Sequence, residues 1–189
     1  TGQPWQGNVD VTLRPAKQEE FTLFLRIPAW SLKSAVRVNG SPAPEAAVPN
    51  TYLALKRIWK PGDTVSLTLD METRLVHANP RVAEDNGKAA VQRGPIVYML
   101  EQHDNPGAPV FDAAINHAAP IAAEFRPDLL GGVTVLKHKG LVYAQPQDRA
   151  PLYSFQPRTP TVPAALTFVP YYAFHDRGPA DMTVWVPLR

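Results

Sequence analysis

The chain has 189 residues, 21 prolines, 11 glycines, no cysteine and a formal net charge of +2. That length allows one large or two small domains with a sizeable core, and so many prolines argue against long helices. Near-neutral charge without a basic run argues against nucleic acid as a partner, and absent cysteine removes disulfides, thiolate nucleophiles and Cys-based metal sites.

A composition of 44% apolar and 19% charged residues is that of a globular protein rather than a disordered one. No apolar run is long enough to cross a bilayer, and no signal peptide is visible. The opening Thr1-Gly2, without methionine, predicts a fragment or a processed product. Cytosolic and exported locations both suit a chain without cysteine.

In chain order, Val9, Val11 and Leu13 share one face of a first strand, and Phe21, Leu23, Leu25 and Ile27 share one face of a second. Phe24 falls on the outer side of that second strand, where only water is expected. Val36 and Val38 lead into Asn39-Gly40, a strong two-residue hairpin signal. A Pro/Ala-rich loop over 41–49 precedes renewed strand pattern at 52–55 and Ile58-Trp59. Lys60-Pro61-Gly62-Asp63 reads as a turn, because Pro presets φ and Gly supplies a permissive backbone. Residues 62–75 then alternate, with Val65, Leu67, Leu69 and Met71 on one side, and read as one long strand.

Residues 78–87 read as a connector. Beyond it, 89–92 and 96–101 are predicted strands separated by Arg93-Gly94-Pro95. The stretch 102–120 is hard to decode, with an uncapped helical turn as one option over 111–119. Residues 127–132 read as a turn, and strands are predicted at 133–136, 141–144, 166–169 and 182–186. The expected fold class is all-β: two packed antiparallel β-sandwich, jelly-roll-like units, at 1–79 and 80–189. Arg177-Gly178-Pro179 echoes Arg93-Gly94-Pro95, and shared turn chemistry accounts for both.

Candidate chemistry is sparse. The five histidines form no close pair, and His103-Asp104 and His175-Asp176 are the His–carboxylate neighbours. Alternating strand geometry would not aim such neighbours at one metal, so no metal site is predicted. Carboxylates such as Glu84-Asp85 and Glu101/Asp104 read as solvated strand-end or connector groups. There is no Gly-x-Ser-x-Gly elbow and no phosphate-binding Gly-rich loop. Trp5, Trp30, Trp59 and Trp185 all have faces that could stack on a sugar, against the reading of strand-end rings that close a sandwich core. Trp185 best suits the core and Trp5 a surface or interface, and Tyr171 and Tyr172 carry the same two readings. No catalytic residue, cofactor site or metal site is predicted within the chain.

The ordered landmarks Pro4-Trp5-Gln6-Gly7, Leu25-Arg26-Ile27-Pro28-Ala29-Trp30, Val38-Asn39-Gly40 and Trp59-Lys60-Pro61-Gly62-Asp63 carry a resemblance. They continue with Ala78-Asn79-Pro80, Gln92-Arg93-Gly94-Pro95-Ile96-Val97-Tyr98, Pro170-Tyr171-Tyr172 and Met182-Thr183-Val184-Trp185. The set resembles the C-terminal region of glycoside hydrolase family 127, the β-L-arabinofuranosidase family, over nearly the whole chain. Where that family often has Trp after Tyr-Tyr-x, this chain has Phe174, which keeps an aromatic surface but loses an indole donor.

The resemblance implies an N-terminal (α/α)6 catalytic barrel followed by β-sandwich domains. It also implies a retaining mechanism with a cysteine nucleophile near zinc and a glutamate acid/base. None of those positions maps onto a chain without cysteine, so the chain alone is expected to be no enzyme and its parent a glycoside hydrolase. The expected role is a non-catalytic accessory region supporting the barrel, with zinc confined to the absent catalytic part. The alternatives are a carbohydrate-binding module for plant-type arabinose-containing glycans and an independent partner-binding sandwich. Trp5, Phe24, Trp59, Tyr171, Tyr172, Arg93 and Arg177 are the candidate glycan or interdomain contacts.

Overall fold

The computed structural model describes residues 1–144, 153, 155 and 161–189. It is all-β, and the chain divides into two compact units, Thr1–Glu72 and Thr73–Arg189.

In the first unit, β1 (Asn8–Thr12), β2 (Glu19–Ile27), β3 (Ala35–Val38), β4 (Ser41–Pro42), β5 (Thr51–Trp59) and β6 (Thr64–Thr68) form two antiparallel sheets. One runs β1-β6-β3-β4 and the other pairs β2 with β5 along their full lengths. Alternation sends Leu25, Ile27, Leu53, Leu55 and Trp59 inward from one sheet and Val36, Val38, Val65 and Leu67 from the other. Removing each such side chain from water stabilises the unit by roughly 1.5–3 kcal/mol before entropy is counted. Trp59 is fully buried, and its indole Nε1–H donates to the Phe21 carbonyl at 3.1 Å.

The turn residues act as predicted. Asn39 (φ 50°) and Gly40 (φ 79°) turn the chain from β3 into β4, in the left-handed region that Asn and Gly tolerate. Near the N-terminus, the backbone of Gly7 packs so tightly that a Cβ there would lie 2.0 Å from the Leu69 carbonyl oxygen.

The expected long strand over 62–75 is two strands in two units. β6 ends at Thr68, and β7 (Thr73–Val76) pairs with β8 (Lys88–Arg93) of the second unit. Between them the Asp70 N–H donates to Ser31 Oγ at 2.7 Å and the Glu72 N–H to Asp70 Oδ1 at 3.0 Å. Side-chain acceptors here take donors that a ladder would need, so the strand stops although the hydrophobic alternation runs on. β7 pairs with β8, so it lies with the second unit, which begins at Thr73.

The second unit continues with β9 (Ile96–Glu101), β10 (Ala113–Ala114), β11 (Ile121–Arg126), β12 (Val133–Tyr143), β13 (Thr161–Pro170), β14 (Met182–Thr183) and β15 (Val186–Pro187). Its sheet order is β10-β12-β13-β9-β8-β15, with β11 on β12, β14 on β9 and β7 on β8. The helical turn considered for 111–119 is a short 3-10 turn, Val110–Asp112, running straight into β10. β11 has no counterpart among the predicted strands, because its residues do not alternate.

The two strands predicted at 133–136 and 141–144 are one, β12, which runs through Lys137-His138-Lys139-Gly140. The polar residues are accommodated individually. Lys137 Nζ donates to Thr167 Oγ1 at 3.0 Å, and His138 is buried between two backbone partners. Gly140 is required by close approach, since a Cβ there would sit 2.3 Å from Leu166 Cδ1. The strand predicted at 182–186 divides into β14 and β15, and Trp185 between them is half-buried rather than core.

Candidate functional site

In the second unit, Leu100 of β9 pairs with Phe168 of β13 and with Thr183 of β14, so those two strands flank β9 on opposite sides. Residues 171–181 cross from one side to the other. The crossover begins with the 3-10 turn Tyr171–Ala173, whose Ala173 is buried as an anchor. Successive tight turns follow: the Phe174 N–H donates to the Tyr171 carbonyl, Asp176 N–H to Ala173 and Gly178 N–H to His175. His175 lies at φ 70°, a left-handed conformation that strains a side-chain-bearing residue, and its ring sits 4.1 Å from that of Phe174.

Arg177 holds this crossover down. Its Nη1 donates to Asp104 Oδ1 at 2.8 Å, and its Nη2 donates to Asp104 Oδ2 and to Glu101 Oε2. Glu101 ends β9 with a fully buried side chain, so the pair is shielded from solvent on the carboxylate side. Its hydrogen bonds to Asp104 foremost hold the Arg177 guanidinium above its ordinary pKa, against the opposing effect of desolvation. His103 Nδ1 stands 3.7 Å from the other Glu101 oxygen. Glu101 and Asp104 are therefore an internal anchor and not the solvated strand-end groups expected. The signal was present: Glu101 continues an apolar strand on the face shared with Val97 and Met99.

The crossover leaves Tyr171 48% and Tyr172 62% exposed. Burial, and then the nearby Asp176 charge, push the Tyr172 hydroxyl pKa upward. Behind them Tyr98 is buried opposite Pro170, and desolvation raises its pKa to about 12 against the pull of Arg93. Arg93 closes β8 at the two-residue Gly94-Pro95 turn (Gly94 φ 56°) and opposes Ile96. Arg93 and Arg177 thus stand at different places in the fold despite the shared tripeptide, one at the β8–β9 turn and the other in the crossover.

In the first unit the outer face of the β2–β5 ladder carries Phe24 (62% exposed), Tyr52 (66%) and Ile58 (54%). Phe24 opposes Ala54 and Arg26 opposes Tyr52, so the two rings are diagonal neighbours across the ladder. The Arg26 guanidinium lies 5.4 Å from the Tyr52 ring centroid and donates to the carbonyls of Ile27 and Thr51 and to Asn50. Tyr52 and Ile58 were missed because the sequence reading weighed the inward face of that strand. Trp59 is withdrawn as a surface candidate, since inward alternation and its indole hydrogen bond put it wholly in the core. Trp5 is half-buried in the turn where its N–H donates to the Gly2 carbonyl at 3.1 Å.

Among the described residues no group of three His, Cys, Asp or Glu side chains could hold a metal ion. With no cysteine either, the donor set does not fit the zinc site implied by the family resemblance.

Comparisons with known proteins agree along the whole chain. Residues 1–71 match the β-L-arabinofuranosidase GH127 middle domain, and residues 73–187 match the glycoside hydrolase family 127 C-terminal domain. A non-reducing end β-L-arabinofuranosidase of Bifidobacterium longum subsp. longum is 38% identical over 96% of this chain and 29% of its own length. The crystal structure of a GH127 β-L-arabinofuranosidase from Geobacillus stearothermophilus T6 superposes with a TM-score of 0.93 at 36% identity, covering 100% of this chain and 30% of that one. A second solved glycoside hydrolase gives 0.91 at 35% identity, covering 100% and 31%. The chain thus spans about 30% of the length of these relatives. It belongs to glycoside hydrolase family 127, of which it comprises the middle and C-terminal β domains.

Proposed function

We propose that this chain is a non-catalytic accessory region that packs on and supports an N-terminal (α/α)6 catalytic barrel of a β-L-arabinofuranosidase-like glycoside hydrolase. The observation carrying this reading is the outer face of β2–β5, where Phe24, Tyr52 and Ile58 remain exposed after the sandwich core is filled. Phe24 and Tyr52 lie together on one sheet face beside Arg26, with Ile58 farther along the same face beyond the Thr22–Lys56 pair. Exposed apolar side chains on such a face are what a docking surface requires. The relatives' extra length supports the presence of a partner domain for it. Zinc and the reacting groups then belong to that barrel, and this chain contributes rigidity and positioning.

The test supplies the catalytic portion of the Geobacillus relative, without its own β domains, and measures association with this chain by sedimentation. Association expected at micromolar concentration should weaken at least about tenfold, or ~1.4 kcal/mol, on Phe24→Ser with Tyr52→Ser. If the chain and the catalytic portion stay separate, or associate equally well with the double variant, the reading falls.

A further inference from the structure

We infer that the crossover 171–181 is a carbohydrate-binding element, a second surface distinct from the β2–β5 face, in which Tyr171 and Tyr172 stack on a neutral sugar and Arg177 is their positioning residue. The inference rests on the glycosidase-accessory reading only for the class of ligand. Its geometry stands on the second unit alone.

Three observations lead there. First, Tyr171 and Tyr172 are adjacent, both substantially exposed, and flanked by the exposed polar side chains His175 and Asp176. Aromatic faces with polar groups at their rim match a sugar, whose C–H face is apolar and whose edge is hydroxylated. The segment has no exposed aliphatic side chain between Tyr171 and Arg177, whereas the β2–β5 face carries the exposed Ile58 as well as its two rings. That difference favours a glycan over a protein at the crossover.

Second, the segment is built to be rigid. Its backbone is closed by consecutive turns, and His175 is kept in a left-handed conformation. Small ligands gain too little contact to order a mobile loop, so a weak sugar site needs its rings preset. Strain held at an exposed aromatic loop is the pattern of a binding element rather than of a plain connection.

Third, the anchor is more elaborate than connecting two strands demands. Arg177 reaches two carboxylates, one of them fully buried on the central strand β9. Among the described residues, Arg177 Nε and Glu101 Oε1 are buried without a hydrogen-bond partner, as is the hydroxyl of Tyr98, the β9 residue that pairs with Pro170 at the start of the crossover. Buried polar atoms left unpaired are costly and uncommon in folded proteins. Their concentration around this one segment fits a support selected for geometry rather than for stability. Arg177 touches no ligand in this scheme. It fixes the path of the chain between the tyrosines and β14.

The experiment titrates the 189-residue chain with a linear arabino-oligosaccharide, with a cello-oligosaccharide as comparison, while following backbone amide shifts by NMR. Saturable shifts centred on 171–177 are expected, with a Kd of ~1 mM. Tyr171→Ala and Tyr172→Ala should each weaken binding about tenfold, and Phe24→Ser should leave it unchanged. Arg177→Gln should weaken binding and Arg177→Lys should restore part of it, with the core amide spectrum of both variants kept as the check on folding. Absence of saturable shifts up to about 50 Kd, shifts located elsewhere, or binding indifferent to the tyrosine substitutions would each overturn the inference. So would 171–177 responding only to the relative's catalytic portion, which would mark the crossover as a protein contact. Association with that portion without sugar binding would reject this inference and leave the accessory reading standing.

Discussion

Asn39 and Asp63 lock two turns together: Asn39 Nδ2 donates to Asp63 Oδ1 at 2.9 Å across 24 residues of sequence. The Asn39 side-chain oxygen accepts from the Thr64 N–H at 2.8 Å, and Asp63 Oδ2 accepts from the Lys60 N–H at 2.8 Å. The Asn-Gly and Lys-Pro-Gly-Asp signatures, read separately as punctuation, therefore form one hydrogen-bonded corner at the ends of β3 and β6. Asn39→Ala removes two of these bonds and places alanine at φ 50°. Urea unfolding of the first unit should register a loss of roughly 2–4 kcal/mol, while Gly40→Asn should be far milder.

Asp63 also confers acid sensitivity. The Lys60 backbone N–H and then the Asn39 amide hold its carboxyl below the ordinary aspartate value of 3.8. An acid whose folded pKa is depressed adds stability above its unfolded pKa and loses it as pH falls through the folded value. The first unit should therefore weaken below about pH 3.8, and Asp63→Asn should flatten that part of the profile. An unchanged slope in the variant would count against the corner.

His138 gives the second unit an opposite, milder pH window. The Asn116 N–H donates to Nε2 at 3.1 Å, and Nδ1 lies 3.1 Å from the Pro120 carbonyl, so Nδ1 carries the proton and the ring is neutral. Desolvation holds its pKa below the ordinary histidine value of 6.5 although the Pro120 bond opposes that effect. The unfolded chain takes up a proton first, so stability is full above about pH 6.5 and declines as pH drops below it. Thermal unfolding should show a lower midpoint at pH 5 than at pH 7.5, and His138→Gln should reduce the difference. His138→Leu would strand two backbone groups at a cost of roughly 1–3 kcal/mol each.

Gly7→Ala should destabilise the first unit by roughly 1–3 kcal/mol, because the added carbon would meet the backbone oxygen of Leu69 and not a movable side chain. The same contact carries the hydrogen bond from the Leu69 N–H to the Gly7 carbonyl at 2.9 Å. A wild-type denaturation midpoint in the variant would show that the N-terminal turn can shift aside.

Trp59→Ala should cost about 3–5 kcal/mol, since it empties a core site and frees the Phe21 carbonyl of its indole donor. Replacement by Phe should cost less, losing mainly the hydrogen bond. Tryptophan fluorescence should also show one ring shielded from acrylamide that becomes accessible only on unfolding.

Much of this protein is encoded locally. Period-two alternation, proline and glycine turns and missing long apolar or basic runs are enough to specify an all-β chain, because inward burial and turn conformation depend on residue type and spacing. They also place Phe24 on an outer face. Long-range partners are not encoded that way. Alternation continued past Thr68 while Ser31, 39 residues away, supplied the acceptor for Asp70 N–H that ends the strand. Lys137-His138-Lys139-Gly140 looked like an interruption until Thr167, Pro120 and Leu166 accommodated each residue. Trp59 as core, and Glu101 as a buried anchor for Arg177 across 76 positions, were likewise decided only when the sheets assembled, since burial and ion pairing are properties of neighbours in space.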